Sequence, residues 1–146
     1  MMEKKYEALK LSNQMCFPLY AASKEIVRRY KPVLDEIGLT YTQYITMMVL
    51  WEHKSISVKD MGSLLYLDSG TLTPVLKKLE QKGFIKRQRD TGDERVLIVT
   101  VTEEGLALRD KALDVPARIA CTVDLTMEEA QLLCGILQKL INGCCS

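Results

Sequence analysis

The fold of this chain is decided by residues 57–101, which read SVKDMGSLLYLDSGTLTPVLKKLEQKGFIKRQRDTGDERVLIVTV. The first part predicts a short helix, a tight turn and a second helix, which Ser69 caps and Gly83 ends. Its apolar residues recur every three or four positions, as on one face of a helix. The second part predicts two strands, Phe84 to Arg89 and Arg95 to Val101, joined by a polar turn that contains glycine. The whole stretch therefore predicts a helix-turn-helix followed by a β-hairpin wing.

Helices are predicted on both sides of this unit. Apolar stripes at helical spacing predict a long first helix from about Glu7 to Tyr30, and Pro18 is expected to kink it or delay its start. Thr40 to Gln43 form a predicted capping box at the start of another helix. Thr102 opens a helix to about Ile119, and a second capping box, Thr126 to Glu129, opens a last helix to about Asn142. The expected fold is mainly α, a winged helix-turn-helix with helical extensions at both ends.

The composition is typical of an ordinary soluble protein. Of the 146 residues, 47% are hydrophobic and 27% are charged, which suits one domain over residues 1–146 with a real core. Residues 40–101 would form its DNA-binding part. The start, Met1 to Tyr6, is too polar for a signal peptide, and no apolar run approaches the roughly 20 residues of a membrane span. We therefore expect a cytoplasmic protein without a membrane partner.

The five cysteines and one histidine limit the metal and redox chemistry that is open to this chain. The cysteines lie at positions 16, 121, 134, 144 and 145, and no CxxC pair is present. A zinc site needs clustered thiolates and imidazoles, so neither a metal nor another cofactor is expected. In a reducing cytoplasm these thiols start out free.

Candidate DNA-contacting residues cluster in the second helix and the hairpin. The net charge of the chain is only +1, but residues 77–95 hold seven Lys or Arg against four Asp or Glu. Arg95, at the hairpin tip, can enter a narrow minor groove, and Asp93 could orient its guanidinium as a bidentate pair. Small hydroxyl side chains early in the second helix can approach phosphates and base edges. The candidates are Ser69, Thr71, Thr73, Lys77, Lys78, Lys86, Arg87, Arg89, Asp93 and Arg95. The alternative is a helix-hairpin unit of another α+β domain, whose hydroxyls only cap helices.

Cys16 is the candidate for redox chemistry. It lies on the first predicted helix, with Tyr20 on its own face. A thiolate reacts with peroxide to give a sulfenic acid, which condenses with another thiol. The apolar neighbours Met15, Phe17 and Leu19 would favour an alkyl or lipid hydroperoxide over a very polar one. From the residues alone, a buried structural cysteine is the alternative.

Several strings resemble the MarR family of dimeric winged-helix regulators and, more narrowly, its organic-hydroperoxide-sensing (OhrR-type) branch. The resemblance covers roughly Leu11 to Ala120. The strings for the wider family are LDSGTLTP at 67–74, KKLE at 77–80 and DER at 93–95, and those for the branch are NQMCF at 13–17, LTY at 39–41 and LWE at 50–52.

The resemblance implies a repressor that binds a palindromic operator in double-stranded DNA and releases it when organic hydroperoxide oxidises Cys16. It implies a homodimer joined through the helical parts 1–35 and 102–146. It also implies that Tyr30 and Tyr41 donate hydrogen bonds to the reactive thiol, with Tyr20 close by. In two-cysteine members the resolving cysteine follows a Val-Pro dipeptide, which makes Cys121 the candidate here. Other members use small thiols instead.

Three rival functions remain open on the sequence. A MarR-type repressor could release DNA when a small apolar or phenolic ligand enters the dimer cleft, without thiol oxidation. A thiol peroxidase could use Cys16 as its nucleophile, but no arginine on the Cys16 face would orient the peroxide, so an enzyme is not expected. A metal sensor could bind a soft ion at Cys144 and Cys145, but the sequence offers no third ligand.

Overall fold

The computed structural model describes residues 2–143, with side chains from Lys4 onward. It confirms a mainly helical winged helix-turn-helix with a small sheet. Two single 3₁₀ turns, Glu7–Leu9 and Leu11–Asn13, precede the second helix. The elements in chain order are α1 (Met2–Lys5), α2 (Cys16–Asp35), α3 (Tyr41–His53), β1 (Ser55–Ser57), α4 (Val58–Leu65), α5 (Ser69–Gln81), β2 (Ile85–Arg89), β3 (Leu97–Val101), α6 (Glu103–Lys111), α7 (Val115–Ala120) and α8 (Met127–Gly143).

The first long helix is displaced from its predicted bounds. It starts at Cys16 instead of Glu7 and runs through Pro32 to Asp35 instead of stopping at Tyr30. Pro18 is its third residue, where the missing N–H costs nothing because the first-turn N–H groups have no helical acceptor. Pro18 therefore fits a late start, one of its two predicted effects.

Local capping signals place most of the other helix starts as predicted. At α3, the Thr40 hydroxyl accepts a hydrogen bond from the Gln43 N–H, and Gln43 Oε1 accepts one from the Thr40 N–H. Thr126 and Glu129 form the same reciprocal pair at α8. Gly83 follows α5 with φ of 81°, as a terminating glycine should.

The cap of α5 was predicted one residue too late. Asp68, not Ser69, is the N-cap, because its Oδ1 accepts a hydrogen bond of 2.7 Å from the Thr71 N–H. This hydrogen bond is the main reason why the pKa of Asp68 is lowered. Ser69 is instead the first helical residue, so its hydroxyl is not used as the cap.

The wing contains three strands, not two. They lie in the order β1-β3-β2, and both pairings are antiparallel. Val99 of the central strand β3 lies opposite Ile56 of β1 on one side and Arg87 of β2 on the other. The predicted hairpin strands are shorter than expected, starting at Ile85 and Leu97. The turn extends further because the Asp90 N–H bonds the Val96 carbonyl and the Val96 N–H bonds the Asp93 carbonyl.

The helix after the wing is broken, where a single helix to Ile119 was predicted. Helix α6 ends at Lys111, and α7 begins at Val115. Pro116 explains the break, because its ring would clash with the Ala112 carbonyl in a continuous helix, whereas the first turn of a new helix tolerates it. The described residues divide into two compact units, one ending at Val115 and the other beginning at Pro116.

The core of the first unit joins the helix-turn-helix to the wing. Trp51 Nε1 on α3 donates a hydrogen bond of 2.8 Å to the Gly105 carbonyl on α6. A Cβ at Gly105 would lie 2.2 Å from the Phe84 carbonyl oxygen at the base of the hairpin, so only glycine fits. Fully buried side chains fill the space between these elements: Leu34, Met47, Leu50, Met61, Leu72, Leu76, Leu79, Ile85 and Val99. In the described part of the chain, no helix has the length and apolar character that crossing a bilayer requires.

Candidate DNA interface and redox site

The N-terminal turn of α5 presents small polar side chains on its open end. Ser69 and Thr71 are exposed, and Thr73 is half-buried. The Thr73 hydroxyl donates a hydrogen bond of 2.7 Å to the Ser69 carbonyl, which leaves its oxygen available as an acceptor. Further along the same helix, Lys77 and Lys78 are exposed.

The tip of the wing carries one exposed arginine held by one aspartate. The Arg95 side chain is 91% exposed. Asp93 Oδ1 accepts hydrogen bonds from both the Arg95 backbone N–H, at 3.0 Å, and Arg95 Nε, at 3.2 Å. A single carboxylate oxygen of Asp93 therefore accepts from both the backbone N–H and the Nε of Arg95, whereas the sequence predicts a bidentate pair of side chains. The geometry fixes the start of the Arg95 side chain while its Nη atoms remain exposed.

An open groove lies between the helix-turn-helix and the wing. Its walls include the first turn of α4, the turn residue Tyr66, Thr73 on α5 and Arg95 on the hairpin. Tyr66 takes a left-handed conformation with φ of 55°, and its ring is exposed. On β2, Lys86 and Arg89 are exposed.

Arg87 differs from the other basic candidates because its side chain is mostly enclosed and binds an acid on another element, Glu80 of α5. Its Nη2 lies 3.0 Å from Glu80 Oε1, and its backbone N–H donates to Glu80 Oε2 at 3.0 Å. These bonds lower the pKa of Glu80, so that the carboxylate stays ionised. The sequence does not single out Glu80 as a functional residue. Its only signal was an acid at the end of a helix that leads into a basic strand.

Cys16 is the first residue of α2, and its thiol is free and exposed. The N–H groups of a first helical turn have no helical acceptor and favour a negative charge nearby. Its neighbours Met15, Phe17, Leu19 and Tyr20 are all exposed, so the cysteine lies in an apolar patch. Tyr20 is one turn further along the helix, as predicted, with Lys24 Nζ 5.2 Å from its ring centroid.

Tyr30 and Tyr41 contact each other but not the Cys16 of their own chain. Their ring centroids are 4.9 Å apart, and Tyr44 completes the cluster at 5.8 Å from Tyr30. Burial raises the pKa of Tyr30, with further contributions from Tyr41 and Tyr44, so that its hydroxyl remains a donor at neutral pH. Cys16 and Tyr30 lie fourteen residues apart on one helix, which is a separation of about 21 Å.

The remaining cysteines lie elsewhere in the chain. Cys121 directly follows α7, Cys134 lies on α8, and both are exposed and free. The residues of the suggested soft-metal site, Cys144 and Cys145, fall outside the described residues. Between residues 2 and 143, no three or more His, Cys, Asp or Glu side chains are grouped so as to hold a metal ion.

The relatives found by comparison with known proteins are transcriptional regulators. Residues 28–111 match the family model for the transcriptional regulator SarA/Rot. The chain is 46% identical to the organic hydroperoxide resistance transcriptional regulator of Bacillus subtilis, over 97% of this chain and 96% of that one. It is 41% identical to the regulator SarZ of Staphylococcus epidermidis, over 90% and 89% of the two chains.

Solved structures agree in fold. The structure of reduced AbfR bound to DNA matches with a TM-score of 0.77 and 34% identity, over 97% of this chain and 99% of that chain. Disulfide-formed AbfR matches with a TM-score of 0.65 and 35% identity, over 97% and 99% of the two chains. A MarR mutant from Escherichia coli in complex with operator DNA, at 21% identity and a TM-score of 0.75, shares the fold over 86% of this chain and 92% of its own.

Proposed function

This chain belongs to the MarR family of winged-helix transcriptional regulators, in the branch that senses organic hydroperoxides, and we propose that it represses a promoter until such a peroxide oxidises Cys16. The observation that carries the proposal is the free, exposed Cys16 thiol at the start of α2, set among apolar side chains in a DNA-binding fold. Acting on DNA, the protein would work in the cytoplasm.

Two copies of α5 would read a palindromic operator. In a helix-turn-helix dimer the recognition helices enter successive major grooves, about 34 Å apart. Ser69, Thr71 and Thr73 would face phosphates and base edges, and Arg95, held by Asp93, would enter the minor groove. The phosphate contacts would come from the exposed cations Lys77, Lys78, Lys86 and Arg89.

A homodimer would cover apolar side chains at both ends of the chain. Leu132, Leu133, Ile136 and Leu140 are exposed on α8, at helical spacing. The region around Cys16 exposes a second apolar set. Buried apolar area is the main driving force for association, which supports the helical parts 1–35 and 102–146 as the interface.

The sensing step would consume one peroxide per thiol. The Cys16 thiolate attacks one oxygen of the hydroperoxide, the O–O bond breaks, and the alcohol leaves after taking a proton, so that the sulfur becomes a sulfenic acid. Attack by the Cys121 thiol of the partner subunit, or by a small thiol, then forms an S–S bond and releases water. Because the sulfur stays oxidised until a separate reductant reduces it, the protein acts as a switch and not as a turnover enzyme.

The tyrosine hydroxyls would reach the thiolate of the other subunit. Tyr30 lies about 21 Å from Cys16 along the same helix, so a hydrogen bond within one chain is excluded. Two α2 helices packed antiparallel in a dimer would bring each Cys16 to the partner subunit's Tyr30 and Tyr41. Hydrogen bonds from these protonated hydroxyls would stabilise the thiolate.

A mixed dimer tests this arrangement across the interface. In a dimer of one Cys16→Ser chain and one Tyr30→Phe chain, the only Cys16 faces an intact Tyr30 on its partner, and we expect oxidation at the wild-type rate per thiol. In a dimer of one wild-type chain and one Cys16→Ser, Tyr30→Phe chain, the hydrogen bond is lost, and oxidation should slow about tenfold. Stopped-flow oxidation of tagged, purified mixed dimers measures both rates. The reverse order of rates would show that Tyr30 acts within its own chain.

The function itself is tested by DNA release. Reduced protein should select a palindromic duplex from random-sequence DNA. One equivalent of cumene hydroperoxide per Cys16 thiol should then release that duplex, and should do so faster than hydrogen peroxide does. A non-reducing gel should show crosslinked subunits, which Cys121→Ser removes if Cys121 resolves the sulfenic acid. Release by a phenolic ligand but not by peroxide would instead support a ligand-responsive repressor.

A further inference from the structure

The side chain of Arg87 is mostly enclosed, unlike the other basic residues of the wing. Its side chain is 20% exposed, compared with 91% for Arg95. Its Nε is buried and has no hydrogen-bond partner among the described residues. A guanidinium in this setting has little surface left for a phosphate, and an enclosed charge depends on its ion-pair partner.

We propose that Arg87 is a positioning residue for DNA binding, which acts by tying the wing to the recognition helix through Glu80. The inference rests on the proposed DNA binding. Glu80 lies in the last turn of α5, and Arg87 is the middle residue of β2. Both carboxylate oxygens of Glu80 are used, one by the Arg87 backbone and one by its side chain, each at 3.0 Å.

This clasp, defined as the Glu80–Arg87 pair, fixes the angle at which the hairpin leaves α5. Arg87 is paired with Val99 in β3, so its position is transmitted through the ladder to the turn that carries Arg95. A small rotation at the base of a hairpin becomes a larger displacement at its tip. The clasp therefore sets the spacing between the two elements that must enter neighbouring grooves, α5 and Arg95.

Replacing Glu80 gives a test in which the direction of the change in DNA affinity decides between two explanations. Glu80 lies on α5 within one turn of Lys77, a proposed phosphate contact, so simple electrostatics predicts that Glu80→Gln strengthens binding by removing a repulsive charge. The clasp predicts weaker binding, because the wing loses its tie to α5. Glu94→Gln is the matched control, since Glu94 is an exposed acid in the wing turn, and it should leave affinity unchanged or raise it.

A double-mutant cycle with Arg95 shows whether Arg87 and Glu80 act by positioning the wing. A direct DNA contact by Arg87, or a general loss of stability, would instead give the same effect with or without Arg95. We expect Arg87→Met and Glu80→Gln each to weaken binding of reduced protein to its selected duplex about tenfold. In an Arg95→Ala background the same changes should cost less than about twofold, because the wing contact is already absent. Lys86→Met, at an exposed neighbouring cation, should cost the same factor in both backgrounds.

Fluorescence anisotropy with labelled duplex gives these affinities. Additive effects of Arg87→Met and Arg95→Ala, or tighter binding by Glu80→Gln, would overturn the clasp. Failure of the wild-type protein to select any duplex would overturn both this inference and the proposed function. Normal DNA binding without release by peroxide would overturn only the redox switch, and the cycle would still decide the clasp.

Discussion

Replacing Cys16 by serine is expected to abolish the release of operator DNA by organic hydroperoxide. In the wild-type protein, oxidation should lower operator affinity about a hundredfold, which is within the usual range of coupling between two sites. The serine hydroxyl is similar in size to the thiol but is not oxidised to a sulfenic acid. The variant should therefore fold, bind the operator as reduced wild type does, and keep that affinity after peroxide treatment.

Anisotropy titrations of the operator duplex before and after cumene hydroperoxide measure this effect. Cys134→Ser is the matched control, because Cys134 is also free, exposed and helical but has no role in the proposed switch. That variant should lose DNA affinity on oxidation as wild type does. If Cys16→Ser still released DNA on treatment with peroxide, another group would have to be the sensor.

Gly105→Ala is expected to be the most damaging single-methyl change for stability. The new Cβ would lie 2.2 Å from the Phe84 carbonyl oxygen and 2.8 Å from Val101 Cγ2. Because the nearest atom belongs to the backbone, a side-chain rotation cannot relieve the clash, and α6 must move away from the hairpin. We expect the free energy of unfolding to fall by about 3 kcal/mol, the upper end of overpacking costs.

Gly135→Ala is the matched control, and its expected effect on the free energy of unfolding has the opposite sign. Gly135 lies in helix α8, and a Cβ there meets nothing of its own chain within 4 Å. Alanine at this helical position should raise the free energy of unfolding by about 0.5 to 1 kcal/mol. Urea unfolding monitored by circular dichroism compares the two variants, and equal stability of both would mean that the tight approach at Gly105 is absent in solution.

Features that depend on neighbouring residues could be predicted from the sequence. The capping boxes at Thr40 and Thr126 are such cases, because their partners lie three residues away on the same chain. The error at α5 has the same local origin. Asp68 and Ser69 are both good N-caps, and the backbone conformation, not the residue type, decides between them.

Features that depend on distant partners could not be predicted. The strand β1 has only three residues, and its pairing of Ser55 with Thr100 joins positions far apart in the chain. Arg87 looked like any other basic wing residue, because nothing in the sequence indicates that a helix would bring Glu80 to its backbone and side chain. The separation of Cys16 from Tyr30, by contrast, follows from the predicted first helix, which already held both residues and which α2 keeps intact between them.

The hydrogen bond from Trp51 to Gly105 has a practical consequence. Trp51 is the single tryptophan of the chain, and its ring centroid lies 6.3 Å from that of Tyr44, a member of the tyrosine cluster. The unlabelled protein therefore carries one tryptophan, which can be excited apart from the tyrosines, between the α6 junction and the aromatic side chains that would meet the oxidised thiol. Its emission spectrum should respond both to unfolding and to rearrangement of those rings, so that one optical signal can follow the switch in real time.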